Sequence, residues 1–165
     1  MSLRFYNSLT SQVQEFAPAD GHTVRMYTCG PTVWSYAHIG NFRTFVFQDV
    51  LRRWLRYRGF ALDHVMNLTD VDDRIIQQSV AAGKSLGEYT EVYAIAFAED
   101  RDALRMEKPE HLVKATEHIG DMVALVQRLT AAGHTYVSEG SVYFRVATFP
   151  EYGKLAHLDR EGMRS

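Results

Sequence analysis

The strongest constraint in this chain is a strand, loop, long helix and strand in immediate succession. Val24 to Thr28 is rich in β-branched and aromatic residues and reads as a strand. Cys29-Gly30-Pro31 then forces a loop, since glycine and proline interrupt regular structure. A helix is expected from about Gly40 to Tyr57, because Phe42, Phe45, Val46, Val50, Trp54 and Leu55 keep a helical period and Gly59 is a natural stop. Leu62 to Leu68 is a second buried-strand candidate. Two strands bridged by a helix close right-handed into a parallel sheet, so the front of the chain is expected to be α/β.

The rest of the chain is expected to be mainly helical. Leu3 to Tyr6 reads as a short strand and Phe16 to Gly21 as a turn. Asp70 is expected to cap a helix ending near Gly83, with Asp72 and Asp73 complementing its positive end. Ser85 and Glu88 form a capping-box signature for a helix reaching about Leu104, and Pro109 then breaks the pattern. Ile119, Met122, Val123, Val126 and Leu129 mark an amphipathic helix ending at Gly133. Two short strands follow, His134 to Val137 and Val142 to Val146, around a turn at Gly140.

Composition narrows the class. With 165 residues, 46% of them hydrophobic and 23% charged, the chain can bury a core, and the composition argues against a disordered chain. A net charge of −2 argues against a generally basic nucleic-acid module. The single cysteine excludes an internal disulfide framework and any multi-cysteine zinc site built from this chain alone. The longest apolar run, Val92 to Ala98, is too short to span a bilayer, and no secretory pattern opens the chain, so a cytoplasmic protein is expected.

Ligands of open parallel sheets bind outside the carboxyl ends of the strands. Two loops meet that description, Cys29 to Asn41 and Asn67 to Asp73. The first holds His38-Ile39-Gly40-Asn41 at a helix start, where outward backbone N–H groups and an imidazole suit a polyphosphate. Gly40, lacking a Cβ, allows close approach of a nucleotide. The same triplet recurs at His118-Ile119-Gly120, where Ile119 is expected to be an ordinary core position. Arg52, Arg53, Arg56 and Arg58 read as a solvated face complementing the negative helix end. Asp72, Asp73 and Arg74 read as a solvated helix start.

The stretch from Tyr27 to Asn41, YTCGPTVWSYAHIGN, resembles the signature of cysteinyl-tRNA synthetases, and Asn67 to Ile76, NLTDVDDRII, resembles that family's next block. The likeness extends to Leu3–Leu9, Val142–Phe144 and Tyr152–Leu155, with Arg74 standing where the family commonly has Lys. The resemblance implies the first half of a class I synthetase Rossmann-like catalytic domain over residues 1–106. It also implies the start of a connecting insertion, a helical segment with a small β-hairpin, over residues 107–165. The implied activity is ATP-dependent activation of L-cysteine to the adenylate and its transfer to tRNA(Cys), with Mg2+ accompanying ATP. His38, Gly40 and Asn41 would contact ATP, with His38 and Asn41 in the catalytic roles. Gly30, Thr32 and Thr69 would line the cysteine pocket, and Cys29 would be one ligand of a Zn2+ that selects a thiolate substrate over a hydroxyl.

The resemblance also implies partners for this segment. The remaining zinc ligands, a KMSKS loop and an anticodon-binding domain are family features with no counterpart in these residues, so an N-terminal portion of a larger enzyme is expected, inactive or weakly ATP-binding alone. Two alternatives are a cysteine ligase acting on an amino-sugar in mycothiol synthesis and a non-catalytic nucleotide-binding module.

Overall fold

The structure, a computed structural model, describes residues 2–158. In chain order its elements are β1 (Arg4–Asn7), β2 (Gln12–Glu15), β3 (Thr23–Thr32), α1 (Ile39–Tyr57) and β4 (Ala61–Thr69). Then follow α2 (Asp73–Ala81), α3 (Leu86–Ala103), β5 (His111–Lys114), α4 (Ile119–Ala131), β6 (Thr135–Ser138) and β7 (Ser141–Phe144). Two compact units divide the chain, Pro18–Ile119 and the segments flanking it.

The unit Pro18–Ile119 holds the expected βαβ arrangement. β3 and β4 pair in parallel, and β5 pairs in parallel with β4, giving the order β3-β4-β5. Its parallel sheet with helices is the α/β, Rossmann-like architecture expected from the sequence for the front of the chain. Phe42, Phe45, Met66, Phe97 and Met106 form its core, with the rings of Phe42 and Phe97 stacked at 5.7 Å. α3 begins as its capping box requires, with Ser85 Oγ accepting from Glu88 N–H and Glu88 accepting from Ser85 N–H.

Several expectations are corrected. β3 does not end at Thr28 but runs through Cys29-Gly30-Pro31 to Thr32, at the cost of a register irregularity. β5 leaves no signal in the sequence: four residues with a broken burial pattern give too little periodicity to read. The cap of α2 is Asp72, whose carboxylate accepts from Ile75 N–H at 2.6 Å. Asp70 is buried instead against Thr116, accepting from its N–H at 2.9 Å and its hydroxyl at 2.5 Å. The second His-Ile-Gly triplet lies where a 3₁₀ turn meets α4, and Ile119 is 44% exposed rather than a core position.

The largest correction concerns α1. Its buried face carries Gln48, Asp49 and Arg52 beside Phe42, Phe45 and Leu55, whereas Val46, Val50 and Trp54 are exposed. The two charged residues, Asp49 and Arg52, are buried because they are paired. The Arg52 guanidinium, 2% exposed, donates to both carboxylate oxygens of Glu110 at 2.7 and 3.0 Å and to the Lys108 carbonyl at 3.0 Å. Arg56 also donates to Glu110 and to Glu107, and Arg53 pairs with Asp49 at 2.7 Å. Of the expected solvated arginine face, Arg52, Arg53 and Arg56 therefore form an ion-pair network between α1 and the segment leading into β5, while Arg58 lies over the Trp54 ring.

His64 on β4 completes that network. Arg52 Nη1 donates to His64 Nδ1 at 2.7 Å, which leaves the ring proton on Nε2, 2.8 Å from the Thr28 hydroxyl on β3. Burial, helped by the Arg52 charge, pushes the His64 pKa below 6.5. Burial alone would raise the Glu110 carboxyl, but its hydrogen bonds to Arg52 and its charge outweigh that and lower it from 4.5 to about 2.

The flanking segments hold two antiparallel hairpins, β1-β2 and β6-β7, and α4. The β6-β7 turn has Glu139 at φ 49° and Gly140 at φ 80°, the left-handed pair a tight hairpin needs. The amphipathic stripe of α4 is real as a pattern, but α4 has no buried residue among those described. Among the described residues no helix is long and apolar enough to cross a membrane.

The Arg52–Glu110 pair makes stability acid-sensitive in a defined way. Both shifted groups have depressed folded pKa values, so their contributions are complete above 6.5 for His64 and above 4.5 for Glu110. They are lost as pH falls, the Glu110 part between 4.5 and about 2. Glu110→Gln leaves the buried Arg52 guanidinium with only Glu107, at 3.7 Å, as counter-charge and is expected to cost about 3–5 kcal/mol at neutral pH in urea unfolding. The variant should also lose the stability slope below pH 4.5; an unchanged acid profile would contradict this account.

Candidate active site

The carboxyl end of β3 and the N-terminus of α1 meet around a cavity of about 260 Å3 whose walls include Gly30, Thr32, Trp34, Tyr36, His38 and Asn41. Sequence-expected Gly30, Thr32, His38 and Asn41 are thus brought together. Gly40 lies beside the His38 ring, and Thr69 is the register partner of Thr32 on β4. The Thr69 carbonyl accepts from Val33 N–H at 3.0 Å, which fastens the loop leaving β3. A larger hollow of about 650 Å3 beside Ile39, Phe42, Val46 and Leu104 is apolar and brings no comparable set of polar groups together.

His38 and Asn41 are locked to one another. His38 is the N-cap of α1: its Nδ1 accepts from Gly40 N–H at 3.1 Å, and Asn41 Oδ1 accepts from His38 N–H at 3.0 Å. An accepting Nδ1 puts the proton of the neutral ring on Nε2, so an N–H donor is presented away from the cap. Asn41 spends its oxygen on the backbone and keeps its NH2 as a donor. Both side chains therefore add donors to the helix N-terminus, where anions are favoured. Gly40 serves this geometry directly, since a Cβ there would lie 2.9 Å from His38 Cε1.

The loop between β3 and α1 is held from above. The Arg74 guanidinium sits 3.4 Å from the centre of the Trp34 ring, so the first turn of α2 is packed rather than merely solvated. Tyr89 on α3 donates its hydroxyl to the Trp34 carbonyl at 3.0 Å, and Tyr36 packs edge-on to Tyr93. Sequence reasoning missed these supports, because aromatic residues on α3 look like core until the loop they face is placed.

Gly30 is fixed by steric demand. A Cβ built there would sit 1.9 Å from the Asn67 carbonyl oxygen. Cys29, opposite Asn67 in the register, is exposed and is not among the walls of the cavity. Behind it Gln48 donates to the Cys29 carbonyl at 3.3 Å. Among the described residues no three His, Cys, Asp or Glu side chains gather as metal ligands, so these residues do not compose a zinc site by themselves.

Two glycine substitutions separate fold from site. Gly30→Ala is expected to cost at least 1–3 kcal/mol in thermal unfolding, because rigid backbone must move. Gly40→Ala should leave stability equal or slightly higher, since alanine favours helix, while the NMR resonances of the His38 ring shift as it is displaced. An unmoved His38 ring in the second variant would contradict the reciprocal cap.

Residues 15–165 match the family described as tRNA synthetases class I (C) catalytic domain. Among relatives, the cysteine–tRNA ligase of Solibacter usitatus is 60% identical over 98% of this chain and 35% of its own length. That of Brachyspira hyodysenteriae is 50% identical over 95% of this chain and 33% of its own length. The chain thus spans about a third of the length of the curated relatives it matches. Among solved structures, Mycobacterium tuberculosis methionyl-tRNA synthetase in complex with methionyl-adenylate superposes with a TM-score of 0.66, covering 82% of this chain and 34% of that one. At 16% identity that likeness concerns the fold alone. Sequence signature, parallel sheet and helix-capping histidine agree, and the chain belongs to the class I (C) tRNA synthetase catalytic-domain family.

Proposed function

We propose that this chain supplies the ATP- and amino-acid-binding part of a cysteine–tRNA ligase working in the cytoplasm. The observation that carries the reading is the convergence of the His38–Asn41 cap with Gly30 and Thr32 on one cavity at the carboxyl end of the sheet. The cysteine–tRNA ligase relatives support the choice of amino acid.

In this reading the amino-acid carboxylate attacks the α-phosphate of Mg2+-bound ATP and pyrophosphate leaves. The chain performs this by positioning and charge stabilisation, without a covalent protein nucleophile. His38 Nε2–H and the Asn41 amide donate to the phosphates as negative charge develops. The glycine at 40 keeps the imidazole in its capping rotamer, so the donor is oriented before substrate arrives. Gly30, Thr32 and Thr69 form the side of the pocket that receives the amino acid. Cys29 would contribute one thiolate to a zinc ion whose other ligands come from elsewhere, and tRNA(Cys) would accept the cysteinyl group. On the pairing of β5 with β4, we place the junction between the catalytic half and the connecting insertion near residue 119 rather than 106.

A chimera tests the reading. Residues 1–165 replace the matching N-terminal third of the Solibacter usitatus enzyme, and cysteine-dependent ATP–pyrophosphate exchange is measured. Exchange is expected, and His38→Ala should reduce it by roughly 10²-fold, the scale for losing one preorganised donor. A folded chimera without exchange would sink the proposal. The 165-residue chain alone should show none, because it holds only one cysteine; robust exchange by it would overturn the shared zinc site.

A further inference from the structure

Asn67 carries more polar contacts at the site than any expected role accounts for. Its Oδ1 accepts from Gly30 N–H at 3.3 Å and from the Tyr27 hydroxyl at 3.2 Å, while its Nδ2 donates to Thr69 Oγ1 at 2.9 Å. The orientation of the carboxamide is not arbitrary. Gly30 N–H can only donate, so the amide oxygen must face it and the NH2 must face Thr69. The Thr69 hydroxyl is then an acceptor towards Asn67. Its own proton is left for another partner, and no acceptor takes it among the described residues. Thr69 is half-buried at the end of β4, beside Thr32 of the cavity wall.

We propose that Asn67 is a positioning residue that ties the tip of β3 to β4 and sets the Thr69 hydroxyl as a hydrogen-bond donor to an oxygen of the amino-acid carboxyl group in the bound ligand. The assignment rests on the amino-acid-binding reading above and deepens it. It separates two jobs that one side chain performs. The oxygen holds Gly30 in place, and the nitrogen decides which way the Thr69 proton points. Asn67→Asp keeps size and both contacts of the oxygen, but turns the second contact round. A carboxylate can only accept, so Thr69 must donate to it and can no longer donate to a ligand.

The test has a ligand-free arm on the 165-residue chain and a ligand-bound arm on the chimera that carries residues 1–165. In 15N NMR one Asn67 side-chain N–H should resonate downfield of free asparagine and return towards the free position in Thr69→Val. A free-like Asn67 amide in the wild type would overturn the proposal. In the second arm the 5′-O-sulfamoyl analogue of cysteinyl adenylate is titrated against wild type, Asn67→Asp, Thr69→Val, the double variant and Thr69→Ser. Asn67→Asp and Thr69→Val should each weaken binding by about tenfold or more, the scale of one hydrogen bond in a desolvated site. Thr69→Ser should bind like wild type. The double variant should be little worse than Thr69→Val alone, because both changes remove one donor; the residual difference measures the added charge. Additive losses, or wild-type binding by Asn67→Asp in a chain with unchanged melting temperature, would overturn the donor role alone. Absence of binding by a folded chimera with the wild-type residues would overturn the amino-acid-binding reading and the donor role with it.

Discussion

A guanidinium sealed from water dictates how the parallel sheet is assembled. Arg52 on α1 cannot be buried without a carboxylate, and Glu110 provides one just before β5. The same carboxylate accepts from the backbone N–H of His64 on β4 at 3.0 Å. One charge pair thus fixes the distance from helix to sheet, the start of the third strand and the tautomer of a buried histidine. The histidine carries the constraint on to Thr28, the residue before Cys29. Structure at the site's edge is therefore linked to the ion pair through His64 and Thr28.

How much of this was legible follows from what each feature rests on. The β3-α1-β4 unit rests on periodicity and punctuation, which are local, and it was readable. The capping box at Ser85 is equally local. The buried face of α1 was not readable, because Val46, Val50 and Trp54 satisfy a helical period as well as Gln48, Asp49 and Arg52 do. Only Glu107 and Glu110, more than fifty residues on, make the polar face the inward one. Asp70 and Asp72 show the same divide. Either can cap a helix by composition, and the choice is made by Thr116, which occupies the one and leaves the other free to cap.

The site divides along similar lines. Its principal residues could be found from motif and context, since a histidine, a glycine and an asparagine at a helix start already suggest an anion site. Their mutual geometry could not. That Gly40 is needed for the imidazole's place, and not only for a nucleotide's approach, becomes visible once the ring is seen over the helix end. Asn67 likewise reads as an ordinary strand residue until the register puts it opposite Cys29.

The irregularity at the tip of β3 has a consequence for the phase of the strand. Between Cys29 and Thr32 the chain advances three residues, while β4 advances only from Asn67 to Thr69. Side chains alternate faces along a strand, so the extra residue reverses the alternation of β3 relative to its neighbour. Thr32 therefore shares a register position with Thr69, which without the insertion would belong to Pro31. The pocket is written in a shifted frame, one step out of phase with the strand that leads into it. Removing a single residue at 30 or 31 would return the strand to plain alternation and still leave Thr32 opposite Thr69, so the extra residue gives the strand tip length without changing which face Thr32 presents.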